Sequence, residues 1–205
     1  TRAGAQKLAE LTGALEPVFV PTKIDPFCGE YKHRIDTIDC HIAVRQFAKQ
    51  TGFQVDFVYT YFGRGDERFN TRVTYQGEHG EKTIVPDMVF RFTSPRGITR
   101  LYALEVYEGP RRTLYAFDRL SVYAAVIGQE AIEQTFNVQD SAVQVLAVFG
   151  TASGERLIRE RLARETSLAS SRFAPLFFFK ALADVKADFR HGWRQVGRSD
   201  TVSLF

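Results

Sequence analysis

Two apolar runs joined by one short turn dominate the pattern of the chain. Ile84 to Phe92 reads IVPDMVFRF, and Thr99 to Tyr107 reads TRLYALEVY. Apolar runs of this length predict strands buried on both faces. Ser94-Pro95-Arg96-Gly97 between them predicts a turn. Upstream, Phe53 to Phe62 alternates in part, with Val55, Phe57 and Tyr59 on one side and Asp56 on the other. Phe69 to Gln76 is rich in β-formers, with Arg72 facing out. Four strands in a meander are therefore expected before residue 108.

Helical periodicity brackets these strands. Ala3 to Leu15 places Leu8, Leu11 and Leu15 on one stripe. Glu16 to Glu30 carries Pro17, Pro21, Pro26 and Gly29 and reads as an extended connector. A second helix is expected from Asp36 or Thr37 to Gln50, with Ile38, Ile42, Ala43, Phe47 and Ala48 as its apolar face and Gly52 as its stop. After Gly109-Pro110, Leu114, Phe117, Leu120, Ala124 and Ile127 mark a helix over Thr113–Ile127. A short helix over Glu130–Thr135, a buried strand over Val143–Phe149, a charged helix over Ser153–Glu165 and an apolar strand over Pro175–Phe179 follow. The remainder, from Asp184 to Trp193 and beyond, is polar with two aromatic anchors. Hairpins followed by a helical crossover predict an α/β fold, a mixed β-sheet flanked by helices. Residues 1–30 are expected to be a helix and connector, and 31–205 the main domain.

Composition narrows the function classes. At 205 residues with 18 Phe and 8 Tyr, the chain can fill one sizeable core. No apolar run approaches the ~20 residues of a membrane span, and no stretch reads as a secretory leader. Two cysteines, Cys28 and Cys40, are too few for a disulfide framework, so a cytoplasmic location is expected. The formal charge of +3 permits a nucleic-acid partner without demanding one. There is no GxGxxG, GxxxxGK[ST], HExxH, paired CxxC or GxSxG, which argues against nucleotide-fold, zinc and serine-hydrolase chemistry.

The candidate chemistry lies in the two dominant strands. Asp87 and Glu105 are carboxylates set in apolar surroundings, where a bare charge costs several kcal/mol. A shared divalent metal would compensate both, since hard cations take oxygen ligands. Alternatively, Asp87 caps a bulge and Glu105 pairs with an arginine. His41 lies beside the apolar face of its predicted helix, where a histidine is either a structural residue or a functional one.

Pro86-Asp87, then Glu105-Val106-Tyr107 after an apolar strand and ahead of a helix, resembles the PD-(D/E)XK restriction-endonuclease-like superfamily. Thr1-Arg2-Ala3-Gly4-Ala5 with Leu8-Ala9, His41-Ile42-Ala43-Val44, VPDMVF, LEVYEGP, and Arg119-Leu120 with Tyr123 are together similar to the replication-relaxation group of plasmid proteins. That group includes the MOBC-type relaxases, which nick plasmid DNA at a transfer origin. A winged-helix domain usually precedes the region matched by Thr1 to Leu15.

The resemblance implies a DNA-nicking endonuclease in which Asp87 and Glu105 hold Mg²⁺ or Mn²⁺. DNA at a plasmid origin, and other mobilisation or coupling proteins, would be its partners. The superfamily's lysine, two residues after the glutamate, is here Tyr107. Arg119 on the following helix and Lys82 before the Asp87 strand are the cations that would replace it. Glu108 would supply a carboxylate only if a bulge at Gly109 re-aimed it, since strand residues alternate faces. His41 matches the group's helical histidine and would be a general base or third ligand. Tyr107 would be a nucleophile or a packing residue. Arg111 and Arg112 would contact phosphates. The alternative is a catalytically inactive domain of the same fold that binds DNA or serves plasmid replication.

Overall fold

The computed structural model describes residues 31–62, 71–164 and 171–205. The helix expected over Ala3–Leu15, its connector and Cys28 lie outside the described residues. Lys32–Phe205 forms one compact unit.

In chain order the described elements are α1 (Tyr31–Thr51), β1 (Gln54–Thr60), β2 (Val73–Gly77), β3 (Gly80–Ile84), β4 (Met88–Thr93), β5 (Thr99–Tyr107), α2 (Gly109–Gly128), α3 (Ala131–Thr135), β6 (Val143–Phe149), α4 (Ala152–Arg164), β7 (Phe177–Ala181), α5 (Leu182–Ala187) and β8 (Arg194–Gln195). Six strands form one mixed sheet in the order β1-β4-β5-β6-β7-β8. The β1/β4, β4/β5 and β7/β8 pairs are antiparallel, and β5/β6 and β6/β7 are parallel. Helix α2 makes the crossover between parallel strands β5 and β6, as such a connection requires. The protein is an α/β fold with helices on both faces of a mixed sheet.

Strand β5 spans the predicted residues because it is central and covered on both faces. Tyr102, Leu104 and Val106 pack toward Val44 and Phe47 of α1 and toward Phe189 and Trp193. Leu101, Ala103 and Tyr107 pack toward Ala116, Leu120 and Tyr123 of α2 and Leu162 of α4. By strand alternation Glu105 shares the α2 side.

Four expectations are corrected. The four-strand meander is three strands of the main sheet, β1, β4 and β5, with β2 and β3 inserted as a separate two-stranded sheet. Consequently Ile84–Phe92 is not one strand: β3 ends at Ile84, β4 begins at Met88, and Pro86-Asp87 occupies the break. Pro86 has no N–H to give a ladder, which suits the break. Helix α1 begins at Tyr31, before the Asp36 or Thr37 expected, and Ile38 and Ile42 are exposed on it. Its buried stripe is His33, Asp36, Thr37, Cys40, Ala43, Val44, Phe47 and Ala48. The first turns of that stripe are polar, so an apolar count starts the helix late. The tail also holds more structure than expected: α5 precedes Phe189 and Trp193, and buried Lys180 donates to the carbonyls of Asp188 and His191.

Candidate active site

Asp87 is held by three contacts at the break before β4. Its carbonyl accepts the N–H of Tyr61 at 3.1 Å, extending the β1/β4 ladder by one step. The neighbouring carbonyl of Pro86 accepts the Thr71 hydroxyl at 2.5 Å. The carboxylate turns toward β5, where Oδ2 accepts the main-chain N–H of Val106 at 2.7 Å. The last β4/β5 pair is Met88 with Leu104, so the Asp87 side chain continues the ladder where the backbone of β4 stops. Oδ1 lies 2.9 Å from Nε2 of His33 on α1.

Glu105 is compensated from α2. Arg119 Nε donates to Oε2 at 2.8 Å, and the Tyr123 hydroxyl donates to Oε1 at 2.6 Å. Arg119 also donates to the Val85 carbonyl, beside the Pro86-Asp87 break. These two α2 residues are four apart, hence on one helix face. Burial pushes the Glu105 carboxyl up to about 7, with the charge of Asp87 adding to the rise and Arg119 opposing it. The two carboxylates therefore feel each other. Burial works against the Arg119 charge, but Glu105 beside it holds the guanidinium protonated more firmly than usual.

His33 is 2% exposed and lies between two carboxylates, with Nδ1 2.8 Å from Glu108 Oε2. Both nitrogens face acceptors, an arrangement that only the imidazolium satisfies when both acids are ionised. Burial lowers its pKa, but the Asp87 hydrogen bond and the Asp87 and Glu108 charges outweigh that and leave it raised. Glu108 Oε1 receives Arg112 Nε at 2.8 Å. Gly109 follows with φ +69, a left-handed value that glycine adopts at little cost. The chain thus leaves the strand at Glu108, whose side chain meets α1.

Arg119 joins Glu105 to the Val85 carbonyl beside Asp87, and the Asp87 charge acts on Glu105, with Tyr107 nearby. Tyr107 is buried with its ring against Phe149 at 5.1 Å, and among the described residues its hydroxyl has no hydrogen-bond partner. Burial, then the Glu105 charge, raise that phenol well above its usual range. Arg112 joins through Glu108, while Arg111 is exposed on the first turn of α2. Two candidates lie elsewhere. His41 is two helical turns beyond His33, about 12 Å along the axis, where it accepts Arg45 Nε at 3.2 Å. Burial and then Arg45 lower its pKa. Lys82 is exposed on the inserted hairpin, across from Tyr75. His33, Glu108 and Tyr123 are the members that sequence reasoning did not assign to the site. The signal for His33 was its eight-residue spacing from His41 on the same helix, which is visible only once the helix is started early enough.

Among the described residues, no group of three or more His, Cys, Asp or Glu is arranged to hold a metal ion. Two carboxylates remain a fitting donor set for a hard divalent cation, since Mg²⁺ commonly takes one or two with water and substrate phosphate completing its shell. Among the described residues each of the four oxygens carries one hydrogen bond and has capacity for a second partner. No described helix is long and apolar enough to cross a membrane. No protein-family model, no curated protein and no solved structure matches the chain.

Proposed function

We propose that the chain is a metal-dependent DNA endonuclease with a restriction-endonuclease-like core, of the relaxase type that nicks one strand at a plasmid origin of transfer. The observation that carries this reading is the convergence of Asp87, Glu105 and Arg119 from the β4 entry, β5 and the crossover helix. The order helix, three antiparallel strands, crossover helix, parallel strand supports it as well. In this reading, an arginine on α2 supplies the cation that the Tyr107 position lacks.

Asp87 and Glu105 would hold Mg²⁺ or Mn²⁺, which polarises a phosphoryl oxygen and lowers the pKa of bound water. The chain's own groups do the rest. The Val106 N–H holds Asp87 Oδ2. Tyr123 and Arg119 orient Glu105, whose carboxyl can carry a proton near neutrality. Arg119 places a permanent positive charge where negative charge develops on phosphate. Arg111, exposed on the first turn of α2, and Arg112, whose Nε meets Glu108, would contact DNA phosphates.

The test is nicking of supercoiled DNA carrying the cognate origin, with Mg²⁺ or Mn²⁺. Loss of nicking in Asp87→Ala and Glu105→Ala is expected, and cleavage that survives both excludes this site. Nicking indifferent to the origin sequence would point to a restriction or repair nuclease instead.

A second reading rests on the same ion pairs. Arg119, Tyr123, His33 and the Val106 N–H already compensate both carboxylates, so the fold is complete as a DNA-binding or replication accessory module. No Mn²⁺ uptake at millimolar metal, with DNA affinity that falls steeply with salt, would favour it.

A further inference from the structure

The polar chain Arg112–Glu108–His33–Asp87–Val106 is longer than the compensation of a single carboxylate requires. It joins the first turn of α2, the end of β5, the first turns of α1 and the entry to β4. Its centre, His33, is buried in the polar end of the α1 stripe, and the Tyr61 ring lies against it at 5.4 Å. Thr37 donates to the His33 carbonyl at 2.9 Å.

We infer that His33 is a positioning residue for Asp87: it fixes the rotamer that keeps Oδ2 on the Val106 N–H, and Glu108 fixes the imidazole in turn. As a claim about the reaction, this rests on the nuclease reading. Asp87 follows a proline in a break between strands, where the backbone ladder ends. The Val106 N–H restrains one of its oxygens and leaves rotation about that contact. A second contact at the other oxygen, from a separate helix, removes that freedom. Preorganised ligands of this kind depend on the groups behind them.

The experiment measures hydrogen exchange at the Val106 amide, Mn²⁺ affinity by calorimetry, and nicking, in the full chain. In His33→Ala, Val106 exchange is expected to quicken about tenfold or more while amides of β6, such as Val145, keep their protection. Mn²⁺ affinity and nicking are expected to fall about 10- to 100-fold. His33→Gln, which keeps a donor toward Asp87, is expected to recover part of each. Should His33→Ala not fold, Glu108→Ala removes the imidazole's other support without touching Asp87, and a smaller change in the same direction is expected. Val106 protection unchanged in the folded variants overturns the inference. If the wild-type chain neither binds Mn²⁺ nor nicks, the nuclease reading fails, and Val106 exchange still decides whether His33 holds Asp87.

Discussion

Arg119 Nε meets Glu105 Oε2 at 2.8 Å, reaching a β5 carboxylate from the third turn of the helix that follows it. Glu105 is 2% exposed at its side chain, and Arg119 is 37% exposed. A buried acid is thus neutralised by a cation that solvent still screens. Arg119→Ala leaves the acid without its guanidinium, and the expected loss is about 2–3 kcal/mol, below the 3–5 kcal/mol of a fully buried pair. Arg119→Lys is expected to recover part of it, because an ammonium keeps the charge but not the planar fork that serves both Glu105 and the Val85 carbonyl. Chemical denaturation of the three proteins checks this.

Stability should fall as pH rises through neutrality. The Glu105 carboxyl is raised from 4.5 to about 7 in the folded chain. A raised folded value makes the contribution complete below the unfolded pKa and loses it as pH climbs through the folded one. His33 is also raised, from 6.5, so its contribution is full below that value and declines above it. Both act in the same direction. The expected outcome is a Tm that decreases between about pH 5 and pH 8, with Glu105→Gln flattening the part of the curve below neutrality. Thermal melts across pH read it directly.

Tyr107 carries a buried hydroxyl with no hydrogen-bond partner among the described residues. An unsatisfied buried donor costs free energy that its removal returns. Tyr107→Phe is expected to be neutral to about 1 kcal/mol more stable. A nucleophile needs a base and access to substrate, and among the described residues this hydroxyl has no hydrogen-bonded base and is buried against Phe149. Nicking at the wild-type rate is therefore expected of Tyr107→Phe, and plasmid relaxation assays beside denaturation curves measure both effects.

Much of the scaffold was legible because local pattern and burial agree in it. Thr99–Tyr107 and Val143–Phe149 are legible to the residue: central strands of the mixed sheet, covered on both faces, leave an apolar run and little else. Asp87, Glu105 and Arg119 stood out as charges within such runs or one helix beyond. The partnering of β2 with β3, apart from the main sheet, was not legible, since β-propensity does not name a partner strand. His33 lay hidden for a related reason. It is buried on a stripe whose first members are polar, and its partner Asp87 is 54 positions away. Glu108 was expected to point away from the site by alternation. The strand ends at Tyr107, and the turn at Gly109 lets Glu108 engage the imidazole that also contacts Asp87.

The central claim is that Asp87 and Glu105 act on one cation. Calorimetric titration of Mn²⁺ into the wild-type chain, Asp87→Asn and Glu105→Gln tests it most directly. The account predicts binding at millimolar metal or below in the wild type and a loss of about tenfold or more in each variant. No uptake by the wild type, or binding that neither substitution disturbs, would contradict it.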